Sequence, residues 1–529
     1  MVLRRSYRTG PAVLLILVCM VAGVQGARPD WQRQEVDWRA GNGRITAISY
    51  PAGKPAPLWG RQAGRSPTKL SKKIIPAANY TAATAGEQPG AIVVNVIESP
   101  PLDGFIPWVA TVLTDERSLD YDAFAVPEGQ VVGDYLTGDP QNNYVLGTFD
   151  TGAGLHIVGH AAAEGLGLNG GYLTGNTVVL GGATGTVEAA VSYPVALFID
   201  GLAAIDPNSL LLDTSGMAGE SNVSLAVGYE PGPNEPDLPT AIGSPLSVYY
   251  AAAFNNEVIF SIVRDANEYT SPDIRLFETG DPDIPALPNN IPLELRPPAG
   301  AVAYWLDFDP CTLEFYPTVP SVIMGDSMQS SFFVHSVNLT EGEHSIVQND
   351  GFLLDTGAQV SIISSSVSAN LGLNPADPDF EVEIRGVNGE TTTAPGFYID
   401  TLDIPAEGEW LSFTNVPVIR LNVSSPEGGT LEGIIGMNLL VEINFVLRGE
   451  AFGVEPPSLQ FVVNMPGDIA PEYGDGRVEL LDLAGFADAW LTGSDSDHWN
   501  PQCDLAGPAD NKIDFYDFAV FAQLWLEGT

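Results

Sequence analysis

Basic residues are scarce over most of this 529-residue chain. From residue 76 to the C-terminus there are 9 lysines and arginines against 63 acidic residues, and the formal net charge of the whole chain is −44. A body with this charge has no basic surface that could neutralise phosphates, so nucleic acid is excluded as a partner. The excess of carboxylates instead favours solubility and a demand for cations.

Cysteine and histidine are also rare, which excludes several kinds of site. Cys19 lies in the N-terminal apolar segment, so Cys311 and Cys503 alone cannot form a disulfide framework that stabilises the chain. The five histidines form no His-Glu-x-x-His zinc motif, and no glutamate lies between His156 and His160. The nucleophilic Gly-x-Ser-x-Gly motif and the phosphate-binding loop are absent as well.

A long hydrophobic run is present only at the N-terminus. Arginines 4, 5 and 8 precede an apolar segment over residues 12–24, and small residues follow it. This arrangement predicts a signal peptide over residues 1–26, with an uncleaved N-terminal anchor as the alternative. We therefore expect a secreted, extracellular or cell-surface protein, or a bacterial periplasmic one, without a transmembrane segment once the signal is removed.

The remaining chain divides by composition into five regions. The first region covers residues 27–90, and its residues 27–75 hold ten basic and three acidic residues. This composition predicts a basic flexible arm or a pro-segment, with a disordered or membrane-surface tether as the alternative. Short apolar runs separated by Gly, Pro, Asn and Asp predict two mainly β lobes over 91–265 and 301–465. A Pro- and Asp-rich linker is predicted over 266–300. Helical periodicity is clear only near the C-terminus, around Leu480–Leu491 and Phe515–Leu526.

Each predicted lobe carries one copy of the sequence Asp-Thr-Gly-Ala. The copies begin at Asp150 and Asp355, and both are flanked by apolar residues. Each half also ends with an apolar-apolar-Gly segment, at 241–243 and 434–436. A similar Asp-Thr segment at Asp213 has Ser where the first Gly belongs and lacks these flanks, so it is predicted to be a turn.

This duplicated pattern resembles the aspartic peptidases, specifically their retropepsin-like branch. The resemblance implies a bilobal β-barrel fold in which Asp150 and Asp355 activate one water molecule to hydrolyse a protein or peptide substrate, without a cofactor for catalysis. Two adjacent carboxylates share one proton, so one takes a proton from the water and the other donates to the substrate carbonyl.

The same resemblance assigns supporting roles around the pair. Thr151 and Thr356 would cross-bond beneath it, and Gly152 and Gly357 would let backbone N–H groups approach the carboxylates. The apolar-apolar-Gly segments would brace the two loops. The glycine-rich turns at 181–185 and 386–389 lie where the family has its flaps.

A second internal repeat, with an offset of 35 residues, occupies the C-terminal region. Each copy is an acidic loop that leads into an amphipathic helix. It resembles the type I dockerins, which implies a small α-helical, Ca²⁺-binding domain over 466–529 and a cohesin-like or cell-surface partner. The alternative is an acidic solvated turn without metal. The predicted ligands are Asp468, Asp475, Glu479 and Asp482 in loop one, and Asp504, Asp510, Asp514 and Asp517 in loop two.

Two functions from different classes follow from these patterns. The first is an aspartic-type endopeptidase. The second is a catalytically silent extracellular binding or assembly protein that uses the same fold, with the dockerin-like module for attachment. The presence of both aspartates with their Thr and Gly neighbours favours the enzyme.

Overall fold

The architecture is that of a computed structural model, which describes part of the chain. The described residues are 31–35, 45–54, 73–75, 90–96, 102, 105–115, 125–126, 131–168, 170–181, 186–232, 236–248, 250–265, 267–296, 306–309, 314–317, 331–385, 391–425, 429–449, 456–464, 467–493, 496, 498–506 and 512–527. The predicted signal peptide lies outside them. Among the described residues, no helix is long and apolar enough to span a membrane.

The protein is mainly β, as predicted, because runs of β-branched and aromatic residues alternate with turn residues along both halves. The strands that precede the middle of the chain are β1 (Trp31–Glu35), β2 (Ile45–Pro51), β3 (Lys73–Ile75), β4 (Gly90–Asn95), β5 (Trp108–Thr114), β6 (Ala125–Val126), β7 (Val145–Asp150), β8 (Ile157–Val158), β9 (Leu173–Gly181), β10 (Thr186–Ser192), β11 (Val195–Gly201), β12 (Ala218–Val223), β13 (Ala226–Val227) and β14 (Ala241–Gly243).

The later strands complete a second lobe and the region between the lobes. They are β15 (Tyr250–Arg264), β16 (Asn267–Glu278), β17 (Asn289–Arg296), β18 (Leu306–Asp309), β19 (Glu314–Pro317), β20 (Ser331–Val334), β21 (Val337–Glu341), β22 (His344–Asn349), β23 (Phe352–Leu354), β24 (Ser361–Ile363), β25 (Phe380–Arg385), β26 (Thr391–Ala406), β27 (Glu409–Arg420), β28 (Gly433–Ile435), β29 (Ile443–Arg448) and β30 (Ser458–Val463).

Helices are few and short among the described residues. The α-helices are α1 (His160–Gly165), α2 (Ser365–Asn370), α3 (Met437–Leu440), α4 (Leu480–Asp488) and α5 (Phe515–Glu527), and short 3₁₀ turns occupy Gly170–Tyr172, Leu202–Ala204, Leu246–Val248 and Pro501–Cys503. The helical periodicity predicted near the C-terminus is confirmed by α4 and α5.

The two lobes repeat one local arrangement. In lobe one, β7 pairs in parallel with β14 within a ten-stranded sheet. In lobe two, β23 pairs in parallel with β28. Both apolar-apolar-Gly segments therefore lie beside the strands that lead into the Asp-Thr-Gly-Ala loops, as predicted.

A central antiparallel sheet joins the lobes, and it corrects the predicted linker over 266–300. Strand β15 pairs with β16 and β29, and β30 pairs with β29 and β17. Strands β16 and β17 both lie within the predicted linker. The Pro- and Asp-rich composition belongs to the turn between them, while Ile274, Ile291 and Leu293 are buried in the core.

Where the N-terminal region is described, it supplies strands to lobe two. Strand β2 pairs with β1 and with β25, and the Arg33 guanidinium lies 2.8 Å from the Glu383 carboxylate. Strand β4, which the sequence places at the start of lobe one, pairs in parallel with β27 of lobe two. Four basic residues would contact the cleft in the pro-segment interpretation, namely Arg65, Lys69, Lys72 and Lys73. The first three lie outside the described residues, and Lys73 begins β3, which pairs with β4.

The C-terminal region packs its two helices together and rests on the central sheet. Phe486 of α4 stacks on Phe521 of α5 with ring centroids 5.0 Å apart. Arg275 of β16 contacts the Glu472 carboxylate at 2.5 and 3.2 Å, and Asn444 donates to the carbonyl of Tyr473 at 3.0 Å. These contacts attach the module to the body.

A buried carboxyl in lobe two makes stability depend on pH. Asp403 of β26 is 3% exposed, and burial raises its pKa to about 6, although Ser412 Oγ donates to it at 2.5 Å. Because the folded pKa lies above the unfolded one, its contribution to stability is full below the unfolded pKa and is lost as pH rises through about 6.

We therefore expect Asp403→Asn, which stays neutral, to stabilise the protein at neutral pH. The gain in the free energy of unfolding should be about 1–3 kcal/mol near pH 7 and vanish near pH 4. Chemical unfolding of both proteins at the two pH values measures it. A gain that is equal at both would show that Asp403 does not titrate in this range.

Candidate active site

Two loops carry the repeated motif to the interface between the lobes. Asp150 is the last residue of β7, and Asp355 directly follows β23. The preceding Phe149 and Leu354 are buried in the core, which anchors each strand end. The N–H of Asp355 donates to the carbonyl of Ile435 at 3.0 Å, so the brace strand β28 holds the start of the second loop.

The two carboxyl groups face one another across the interface. A methyl group built on Gly152 would lie 2.4 Å from Cγ of Asp355. A methyl group built on Gly357 would lie 2.3 Å from Cγ of Asp150. Each aspartate thus occupies the space that glycine leaves free on the opposite loop, and a side chain at either glycine would displace it.

Each carboxylate is oriented by its own loop. Oδ1 of Asp150 accepts backbone N–H groups of Gly152 and Ala153, both at 3.0 Å. Oδ1 of Asp355 accepts those of Gly357 at 2.8 Å and Ala358 at 3.0 Å. Because Oδ1 is engaged in the same way in both lobes, the two carboxyl groups have equivalent orientations.

The threonines cross-bond beneath the pair, as the family resemblance implies. The N–H of Thr151 donates to Oγ1 of Thr356 at 3.1 Å, and the N–H of Thr356 donates to Oγ1 of Thr151 at 3.0 Å. Each hydroxyl then donates to a carbonyl of the opposite lobe, Leu354 at 2.9 Å and Phe149 at 2.6 Å. These four buried hydrogen bonds tie the lobes together under the carboxylates.

The two aspartate side chains are only partly accessible to solvent. Asp150 is 8% exposed and Asp355 is half-buried. Two β-hairpins lie where the flaps are predicted, one formed by β9 and β10 and the other by β25 and β26. Their tips, residues 182–185 and 386–390, lie outside the described residues.

The Asp-Thr segment at Asp213 is a surface turn, as predicted. Asp213 is exposed, and its Oδ1 accepts the backbone N–H of Ser215 at 2.9 Å. This local hydrogen bond lowers the pKa of the Asp213 carboxyl. The segment is absent from the interface that holds Asp150 and Asp355, so it provides a natural control for them.

The sequence reasoning missed a buried pair beneath the first loop. His156 and Glu220 have fully buried side chains, with Nε2 of the imidazole 3.1 Å from Oε2 of the carboxylate. In the sequence, His156 is notable only for its spacing from His160, which lacks the glutamate of the zinc motif. The available signal was its position, six residues after Asp150, where the second repeat has Ser361 six residues after Asp355.

The predicted metal ligands of loop one accept hydrogen bonds from the backbone. Asp468 accepts the N–H groups of Asp475 and Gly476, and burial raises the pKa of its carboxyl to about 7. Asp482 accepts the N–H groups of Ile469 and Ala470 on one oxygen and that of Glu479 on the other. Glu479 itself is exposed at the start of α4.

Loop two follows the same scheme where it is described. Asp517 accepts the N–H of Ala506 at 2.8 Å and that of Asp514 at 2.7 Å. Asp504, two residues before Ala506, is also buried. Asp510 lies outside the described residues. Within the described ranges, no group of three or more His, Cys, Asp or Glu side chains is arranged to hold a metal ion.

Comparison with known protein families finds one match, which lies within the second lobe. Residues 347–439 match the family model Asp_protease_2, described as aspartyl protease. The match includes the loop of Asp355, the hairpin of β25 and β26, and the brace β28. This part of lobe two is thus similar to the aspartyl proteases.

Similarity to whole proteins is weaker. No curated protein sequence matches the chain. Solved structures with similarity include conglutin gamma, a basic 7S globulin from lupine seeds, at a TM-score of 0.31 and 8% identity over 70% of this chain and 99% of that one. Basic 7S globulin from soybean has a TM-score of 0.30 and 10% identity over 68% and 96%, and edgp has 0.30 and 9% over 68% and 95%. At these TM-scores the likeness carries no inference about activity.

Proposed function

We propose that the chain is an aspartic-type endopeptidase that hydrolyses peptide bonds through a water molecule activated between Asp150 and Asp355. The mutual placement of the two carboxyl groups, each in the space left by a glycine of the opposite loop, carries the proposal. The reciprocal threonine bonds support it, because they hold both loops in one geometry. The aspartyl protease family match over lobe two agrees with this chemistry.

The chemistry follows from two carboxyl groups that compete for charge. When one is ionised, its neighbour is favoured in the protonated form, so the pair titrates as a unit and holds one proton. The ionised carboxylate removes a proton from the water as the water attacks the peptide carbonyl, and the protonated group donates to the carbonyl oxygen. In the tetrahedral intermediate the carbon carries two hydroxyl groups. As the C–N bond breaks, one hydroxyl gives its proton to the ionised carboxylate and the amine leaves with the proton of the other carboxyl group, so the pair again holds one proton.

A peptide that carries a secondary alcohol in place of the scissile carbonyl tests this reaction class. Its hydroxyl would occupy the position of the attacking water, so we expect competitive inhibition at least about 100-fold stronger than for the epimeric alcohol. The assay is cleavage of an unfolded protein or peptide library by the full-length chain. Cleavage that is insensitive to the alcohol but stopped by a metal chelator or a serine-directed reagent would refute the proposal.

The silent assembly function has its own supporting observation in the C-terminal module. Leu480 and Leu481 in the first repeat and Phe515 and Tyr516 in the second occupy matching positions, and all are 58–77% exposed. Such apolar residues suit attachment to a cohesin-like or cell-surface partner, and an extracellular or cell-surface location is part of this proposal. Attachment that persists in a wild-type chain with no measurable cleavage would favour this alternative over the enzyme.

Calcium binding by the module is proposed from the chemistry of its donors. Clustered carboxylates suit Ca²⁺, although the described side chains do not converge on one point. We expect calcium to raise the unfolding temperature of the full-length chain relative to a chelator. Asp475→Asn should remove that increment, since its side chain accepts only the N–H of Arg477 among the hydrogen bonds described. Asp213→Asn should keep the increment. A melting temperature unaffected by calcium would leave the module metal-free.

A further inference from the structure

The buried histidine beneath the first catalytic loop has no role in the reaction described above. His156 and Glu220, on the segment before β8 and on β12, both have side chains with 0% exposure, so substrate cannot reach either. The Nδ1 atom of His156 lies 3.1 Å from the backbone nitrogen of Gly243, on the side of the ring opposite Glu220. The imidazole therefore connects the brace strand β14 to strand β12 of the same lobe.

The two partners determine which ring nitrogen carries the proton. Gly243 can only donate through its N–H, so Nδ1 must present a lone pair. The ring proton is then on Nε2, where it is donated to the Glu220 carboxylate. Glu220 holds the ring in the orientation in which Nδ1 faces the brace.

Gly243 is the backbone support of the first catalytic loop. It lies opposite Asp150 in the parallel pairing of β14 with β7. A methyl group built on it would lie 2.4 Å from the carbonyl oxygen of Leu155 and 2.5 Å from that of Ala153, so the loop rests directly on this glycine. The next residue, Ser244, donates its N–H to the Ala153 carbonyl at 2.8 Å.

Lobe two repeats this geometry with different chemistry. Ser361 occupies the position equivalent to His156, and its Oγ accepts the N–H of the brace glycine Gly436 at 3.0 Å. The same hydroxyl donates onward to Oδ1 of Asn438 at 2.8 Å. Each lobe thus places a side-chain acceptor against the N–H of its brace glycine and holds that acceptor with a further buried polar group.

We infer that His156 is a positioning residue for peptide hydrolysis: its Nδ1 fixes Gly243 and, through it, the carboxyl of Asp150, while Glu220 orients the ring. This inference rests on the proposed peptidase function. It predicts that kcat depends on a hydrogen-bond acceptor at the position of Nδ1, and that another acceptor group can replace the imidazole nitrogen there. A residue that only filled space would show no such preference.

Two amide substitutions in the full-length chain distinguish the role of Nδ1 from that of Nε2. His156→Asn places Oδ1 near the position of Nδ1 and keeps an acceptor for Gly243. His156→Gln places its amide nitrogen near the position of Nε2 and keeps a donor to Glu220 without an acceptor for Gly243. Both remove the imidazole from the core, so the shared cost of the lost packing cancels in their comparison.

The expected result is a difference in kcat with little change in KM. His156→Asn should retain kcat within about threefold of the wild type, and His156→Gln should lose at least about tenfold, because small displacements of a catalytic group are costly. KM should change by less than about twofold, since the residue touches no substrate. Equal kcat values for the two variants, or a larger loss in His156→Asn, would overturn the inference.

Amide hydrogen exchange over residues 148–155 gives a second measurement that does not depend on activity. We expect exchange in this loop to be at least about fivefold faster in His156→Gln than in His156→Asn. If the wild type cleaves no peptide, the proposed function fails, and this exchange comparison alone decides whether His156 holds the loop. Equal exchange in both variants would reject the positioning role even if the wild type is an active peptidase.

Discussion

Replacement of Asp150 or Asp355 by asparagine is expected to lower kcat for peptide hydrolysis by about 10³-fold or more. An asparagine amide has nearly the shape of a carboxyl group but can neither take the proton from the water nor share a proton with its partner. The backbone N–H donors to Oδ1 remain in place, since the amide oxygen can accept them. We therefore expect both variants to fold and to keep the affinity for substrate.

Asp213→Asn is the matched control for this experiment. It makes the same chemical change in the surface Asp-Thr segment at Asp213, where the exposed side chain accepts one local N–H. Its kcat should equal that of the wild type, as measured with the same fluorogenic peptide. Cleavage by either catalytic variant at the wild-type rate would show that hydrolysis does not occur at this pair.

Replacement of Gly357 by alanine should reduce activity as severely, for a steric reason. The added methyl group would lie 2.3 Å from Cγ of Asp150 and 2.4 Å from its Oδ1, well inside van der Waals contact. The strain must push the Asp150 carboxyl away from its partner or separate the two loops. A displacement of about 1 Å in a catalytic group costs about 10²-fold in rate, and we expect at least that loss.

Gly152→Ala should act in the same way on the other carboxyl, with its methyl group 2.4 Å from Cγ of Asp355. Gly154→Ala is the control, because nothing lies within 4 Å of the added methyl group. Comparison of kcat and of the thermal unfolding midpoint for the three variants separates loss of geometry from loss of folding. Full activity in Gly357→Ala would mean that the two carboxyl groups are not in contact.

The arrangement of the two Asp-Thr-Gly-Ala loops was predictable from sequence because its requirements are local and duplicated. Each Asp needs a buried strand before it, a glycine that admits the opposing carboxyl and a later brace with a glycine of its own. These needs appear as the same residue types in the same order in both halves, at 150–153 and 355–358 and at 241–243 and 434–436. Since the requirement is met twice, the second copy tests the interpretation of the first.

The partners of the strands were not predictable in this way. Alternation along a strand indicates which face is buried, but it does not indicate which strand lies alongside. Strand β4 has the pattern expected of lobe one, yet it pairs with β27, more than 300 residues later in the chain. Strands β16 and β17 were not predicted because the Pro and Asp residues of the turn between them dominate the composition of 266–300.

The sequence by itself determined that this protein is mainly β, acidic and duplicated, and it identified the two aspartates, their threonines and their glycines. Tertiary structure alone decided that Asp150 and Asp355 face one another, that the N-terminal region joins lobe two, and that His156 meets Glu220 and Gly243. The physical reason is that a motif records the local backbone and side-chain geometry that a loop requires. His156 and Glu220 are 64 residues apart in sequence, so their contact forms only when tertiary folding brings the two segments together.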